Sequence, residues 1–325
     1  MALRLRSGQA LRPRSGQAPA RFRVGVVGSR ALVVCAAVAS LFAANTIAQQ
    51  TYSSGQPVWP AFEGWEKNAD GTTSFVFGYM NDNWAEELNV PIGPENNIMP
   101  GGPDAGQPTH FQPRRNRFTF RVQVPKDLGD KEMVWTLTTQ GKTQKAYASH
   151  RLDLLIENID IMSETGALDA GFSNPELRGN KPPTVQVDGA KTRTAKVGEA
   201  VELVAVTTDD GIPKARYAAT RSPITVIRPP SRPVPGKSNG LHLSWFVYRG
   251  AGAVTFDPRQ IKTWEDTRSG ATSPWAPGWV APPVPEGGKY VVRATFADPG
   301  TYVLCARADD GGLTSDELIT FNVSR

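Results

Sequence analysis

Short apolar runs recur along the chain between clusters of Gly, Pro, Asn, Asp and Ser, and many of them alternate with polar residues. Phe118, Phe120, Val122 and Val124 alternate with Thr119, Arg121 and Gln123, predicting a strand with one buried face that Pro125 ends. Residues 74–79 and 133–139 predict further strands, Gly141 sits in a turn, and 145–149 and 152–156 are additional candidates. No window sustains a helical period. The pattern predicts an all-β protein with many turns, built as two β-sandwich domains over residues 58–161 and 182–325. Residues 49–57 form a short tail before the first domain, and 162–181, with Gly166, Gly171, Pro175 and Gly179, form a linker.

Two stretches stand apart. Residues 91–115 are rich in Pro, Gly and Asn, and a connection that long inside a compact domain is usually functional or poorly ordered. The second region opens on Pro182-Pro183, places Asp-Gly after a strand at 210–211, carries Trp245 on a later strand, and runs Pro299-Gly300-Thr301-Tyr302 into another. This order resembles PKD and related immunoglobulin-like domains of secreted bacterial proteins, interrupted by two long insertions at roughly 212–240 and 257–288. The first region resembles uncharacterised secreted bacterial proteins, which carry no activity over. The resemblance implies a sandwich with Leu241, Leu243, Trp245 and Val247 facing its core and Val201, Leu203 and Ala205 opposite them. Tyr302, Leu304, Ala306 and Ala308 would also point inward, leaving Val303, Cys305 and Arg307 outward. It also implies a tyrosine corner at Tyr302.

Charge changes the picture through the first 48 residues. They hold seven arginines and no acid, so beyond them 31 acidic residues face 29 basic ones. The basic excess is not on the predicted domains, which argues against nucleic acid as a partner. Positive residues, an apolar run over 31–44 and Thr46-Ile47-Ala48 before Gln49 predict a signal peptide over 1–48. The apolar run is shorter than a spanning helix needs, which favours cleavage over an uncleaved leader that anchors the chain. Arg-Ser-Gly-Gln-Ala occurs at 6–10 and again at 14–18, and a translation start near Val24 would give a leader of ordinary length. With Cys35 in the leader, Cys305 has no internal partner, and stability must come from packed cores.

Asp209-Asp210-Gly211 and Asp309-Asp310-Gly311 leave two strands whose loops share one end of an immunoglobulin-like sandwich. Four carboxylates there could hold Ca2+; the plainer alternative is that Asp-Gly pairs make turns. Trp264, Trp275 and Trp279, set among prolines, are candidates for a ligand or partner surface, or else pin the second insertion to the sandwich. His110, in the irregular stretch, is the histidine that best fits a polar site. His242 falls on the outward face of its strand. His110, His150 and His242 lack metal-ligand spacing, and no nucleophile elbow or phosphate-binding loop occurs. The sequence therefore points to an exported, non-catalytic binding or structural module, periplasmic or extracellular. Its partner would be an envelope protein or a polysaccharide. The alternative is an enzyme or accessory subunit acting on extracellular polysaccharide.

Overall fold

The computed structural model describes residues 52–167, 175–215 and 237–325; the predicted leader and most of the first insertion lie outside them. The strands in chain order are β1 (Val58–Lys67), β2 (Thr73–Asn81), β3 (Leu88–Asn89), β4 (Asn96–Met99), β5 (His110–Phe111), β6 (Arg114–Gln123), β7 (Met133–Thr139) and β8 (Lys142–Ala148). A short helix, α1 (Asn158–Glu164), follows. The chain then forms β9 (Thr184–Val187), β10 (Thr192–Lys196), β11 (Ala200–Thr208), β12 (His242–Arg249), β13 (Val254–Asp257), β14 (Lys289–Phe296), β15 (Gly300–Asp309) and β16 (Thr314–Ser324).

In the first sandwich the sheet β1-β2-β6 faces the sheet β4-β7-β8, and β3 and β5 make a two-residue ribbon. Alternation in β7 buries Met133, Trp135 and Leu137 on one side. Trp135 stands edge-on to Phe77 and Phe120 from the opposite sheet. Residues 152–154, read from the sequence as part of a strand, instead form a 3-10 turn. Phe118 also departs from the expected alternation. Its φ is +49° and the β2–β6 register shifts beside it, so the bulge turns its ring out of this core. Gly78 lies opposite the bulge, where any Cβ would run into the Glu63 carboxylate.

The second sandwich pairs the sheet β10-β16-β15-β12 with the sheet β13-β14-β11-β9, an immunoglobulin-like arrangement. Leu243, Trp245, Val247, Leu203, Ala205, Tyr302, Leu304, Ala306 and Ala308 share its core, as their alternation requires. Burying each large side chain contributes about 1.5–3 kcal/mol. The Tyr302 hydroxyl donates to the Asp298 carbonyl at 2.8 Å, closing the tyrosine corner.

The outward face of β12 and β15 is not solvated. Tyr248 and Cys305 are buried in the hydrophobic cluster of the first sandwich, with Phe246 and Val303 packed against it. The Tyr248 hydroxyl donates to the Gly106 carbonyl at 2.5 Å, and Arg249 makes a two-pronged ion pair with Asp104. Phe118 joins Val76, Ile161, Met162, Ala167, Leu177 and Leu313 in a third cluster between the sandwiches. Met162, Ala167 and Leu177, within the stretch that connects the two sandwiches, are therefore packed.

Residues 91–115 are ordered despite their composition, because buried amide side chains bind the backbone that strands do not. Asn96 donates to the Val90 and Pro108 carbonyls, and Gln107 to the Pro103 carbonyl. Asn116 donates to the Pro113 carbonyl, and Asn81 to those of Glu86 and Phe111. These side chains supply donors to carbonyls in a stretch that has little strand ladder to supply them.

Candidate functional site

The two aspartate turns do meet at one end of the second sandwich, joined through Asn180 and Lys181. Asp210 Oδ2 accepts from the Lys181 N–H at 3.0 Å, and Asp310 Oδ2 from Asn180 Nδ2 at 3.2 Å. One oxygen of each carboxylate serves its own turn. Asp209 accepts from the Gly211 N–H, Asp210 from Ile212, and Asp310 from Gly312 and Leu313. Asp309 accepts from the Gly311 N–H and pairs with Lys237 at 2.9 Å, both side chains being buried. Burial pulls the Asp309 carboxyl up, but Lys237 and His242 outweigh it and hold it below its ordinary value. Burial lifts Asp310 to about 7. Among the described residues no three His, Cys, Asp or Glu side chains group as a metal-holding set.

Trp264 and Trp275 are buried at 5% and 7% exposure, which corrects the expectation that they offer an open surface. The physical reason is a run of cations stacked on their rings. Lys262 and Arg268 lie over Trp264, Lys237 lies over Trp275, and Asp266 accepts from both Lys262 and Arg268. Arg268 and Arg114 both lie over Trp84 of the first sandwich, at 5.0 and 4.5 Å. The chain Arg114, Trp84, Arg268, Trp264, Lys262 thus stitches the second insertion to the first sandwich. Arg117 pairs with Glu265 across the same seam. Trp279 is partly buried and caps His242, ring centres 5.3 Å apart.

His242 points outward from its own core, as expected, yet it is buried beneath this insertion. Its Nδ1 lies 2.8 Å from the Gly240 carbonyl, and burial holds its pKa below the ordinary histidine value. His150 packs against Trp65 and Phe75. His110 Nε2 lies 2.7 Å from Glu87 Oε2. Burial drives the Cys305 thiol pKa well up.

Sequence reasoning missed the concave feature of the molecule. A cleft of about 1330 Å3 opens between the sandwiches. One wall is β16, from Thr314 to Leu318, with Tyr248 of β12. The other carries Phe120 and Arg121 of β6, and the segment from Leu155 through Ile159 into α1 closes it. Leu155, Ile156 and Ile159 are partly exposed, and Leu318 is 44% exposed. Three of the wall charges are paired, Arg121 with Glu66 at 2.6 Å and Asp316 with Arg307 through two hydrogen bonds, and Lys67, Glu157 and Arg178 add further charge to the lining. No local pattern could have shown it, because its walls come from segments almost 200 residues apart.

Fold and cleft together define a two-sandwich, immunoglobulin-like β-protein with a cleft between its halves. No family model matches the chain, and no curated protein matches it. Among solved structures, the S-layer protein rSbsC aligns at 9% identity, covering 79% of this chain and 24% of that one, with a TM-score of 0.23. The SrpA adhesin from Streptococcus sanguinis aligns at 17% over 44% of this chain and 57% of its own, with a TM-score of 0.20. The D00-D0 domain of Intimin aligns at 10% over 82% and 99%, with a TM-score of 0.22. The chain thus spans about a quarter of the S-layer protein and over half of the adhesin. At these TM-scores the likeness decides nothing about this chain.

Proposed function

We propose that this chain is an exported binding or structural module, acting at the cell envelope or outside it, whose ligand seats in the cleft between the sandwiches. The observation that carries the proposal is the cleft itself: concave, about 1330 Å3, with partly exposed apolar walls and a few charged groups set among them. Binding sites are typically apolar hollows with a few placed polar groups. Support comes also from how the reactive side chains are used. The Cys305 thiol is buried, and so is His242, which lies against the Trp279 ring.

The test is thermal unfolding of the full chain with peptidoglycan fragments, envelope glycans and unstructured polypeptides. A ligand at 100 times its Kd should stabilise the fold by about 2.7 kcal/mol. The expected outcome is a shift in the wild type that Ile159→Arg abolishes. A ligand recovered chemically altered would make the protein an enzyme and overturn the non-catalytic reading. Export is tested by cell fractionation, with the chain expected outside the cytoplasm and beginning at Gln49.

A further inference from the structure

Among the described residues, half of one sheet edge lies open in the cleft. β16 pairs with β15 along its length, from Gly300↔Val323 to Asp309↔Thr314, without a break in register. On its other side β10 covers only Thr320 to Ser324. The Thr320 N–H donates to the Lys191 carbonyl at 2.8 Å, so Thr320 turns its backbone groups away from β15. In an unbroken antiparallel ladder the residues two, four and six earlier do the same. Those residues are Leu318, Asp316 and Thr314, and no described residue hydrogen-bonds to their backbone N–H or C=O groups.

The neighbouring chain does not cover this edge. β9 pairs with β11 in the opposite sheet, and its Val187 N–H goes to the Glu317 side chain. Pro182, which lines the cleft beside the edge, has no N–H to offer. Residues 314–319 have no proline, no lysine and no bulge, and the Glu317 carboxylate is already taken up by Lys191 and the Val187 N–H. The charge that Asp316 brings is matched by Arg307.

We propose that the cleft receives an extended segment of a partner polypeptide, which adds to the sheet as a strand along residues 314–318. This inference rests on the cleft being the binding site. A row of alternating backbone donors and acceptors is read by another backbone, and sugar hydroxyls do not reproduce its spacing. Five residues of strand span about 17 Å. Leu155, Ile156 and Ile159 bound the room beside the edge, which suits a lone strand rather than the sheet of a second copy. The segment would lie in line with β10, and alternate apolar side chains would rest beside Leu318.

The test uses 12-residue peptides selected from a random displayed library on the full chain. Three readouts follow: affinity, hydrogen exchange at the Asp316 and Leu318 amides, and the effect of N-methylating alternate peptide amides. Strand addition predicts that binding slows exchange at both amides about tenfold or more. It also predicts that methylation weakens binding at one parity only. Leu318→Pro, which removes an N–H that β15 does not use, should weaken binding about tenfold or more, and Leu318→Ala much less. If Leu318→Pro fails to fold, the exchange and methylation readouts still decide. Peptides that bind without protecting these amides would overturn strand addition while leaving the cleft in place, provided Ile159→Arg abolishes them. Strand addition alone also falls if only a glycan binds and Ile159→Arg abolishes it, or if the chain dimerises through the edge. No cleft-dependent binding of any probe would overturn both proposals.

Discussion

The indole N–H of Trp135 donates to Oδ1 of Asn96 at 3.0 Å, both residues being fully buried between the sheets of the first sandwich. The same amide donates through Nδ2 to the Val90 and Pro108 carbonyls. One side chain therefore serves three groups that have no water to turn to. Asn96→Leu should destabilise the chain by about 3 kcal/mol or more, since several buried polar groups lose their partner at once. Urea unfolding measures it. A loss below about 1 kcal/mol would mean that the loop is held by something else.

Tyr302→Phe removes only the hydroxyl that donates to Asp298. It should cost about 1 kcal/mol in the same assay, with the packing of the ring against Phe296 retained.

Asp310 makes stability depend on pH with an unusual sign. Burial raises its carboxyl to about 7, so the folded state prefers the protonated acid. Its contribution is complete below about pH 4, the unfolded value, and is lost as pH rises through 7. Asp309, held below its ordinary value, acts oppositely: its contribution is present above about pH 4 and lost as pH falls through its folded pKa. Comparing wild type with Asp310→Asn isolates the first. The variant should gain on the wild type as pH rises from 4 to above 7, by up to about 4 kcal/mol. Asn180 Oδ1, which has no partner among the described residues, can accept from the new amide once Asn180 turns over. A constant difference across that range would refute the assignment.

Trp84→Ala takes the shared ring from beneath Arg114 and Arg268. It should cost about 1–2 kcal/mol and expose residues 258–288 to protease sooner than the rest of the second sandwich. Unchanged cleavage order would show that the insertion is held by its own packing.

Cys305 should stay unreactive towards thiol reagents in the native protein and react at the rate of unfolding, since it is fully buried and its pKa is raised. Fast labelling under native conditions would place it at the surface.

The sequence made the core readable where a strand obeys strict alternation, as β7 does. Alternation tells which way a side chain points, though, and not what lies in that direction. Cys305 and His242 point out of their own core as predicted, and each is covered by a segment distant in the chain. Phe118 escaped because a bulge inverts the side it faces. The order within 91–115 was hidden too, because Asn96 and Trp135, 39 residues apart, carry no local sign of their bond.

Tyr248 and Cys305 complete a core that begins near Val58. The two halves therefore share a core, and cutting them apart would leave each with a raw face. A fragment ending near residue 161 should clump rather than stand alone. Pulling on either half should break both in one event.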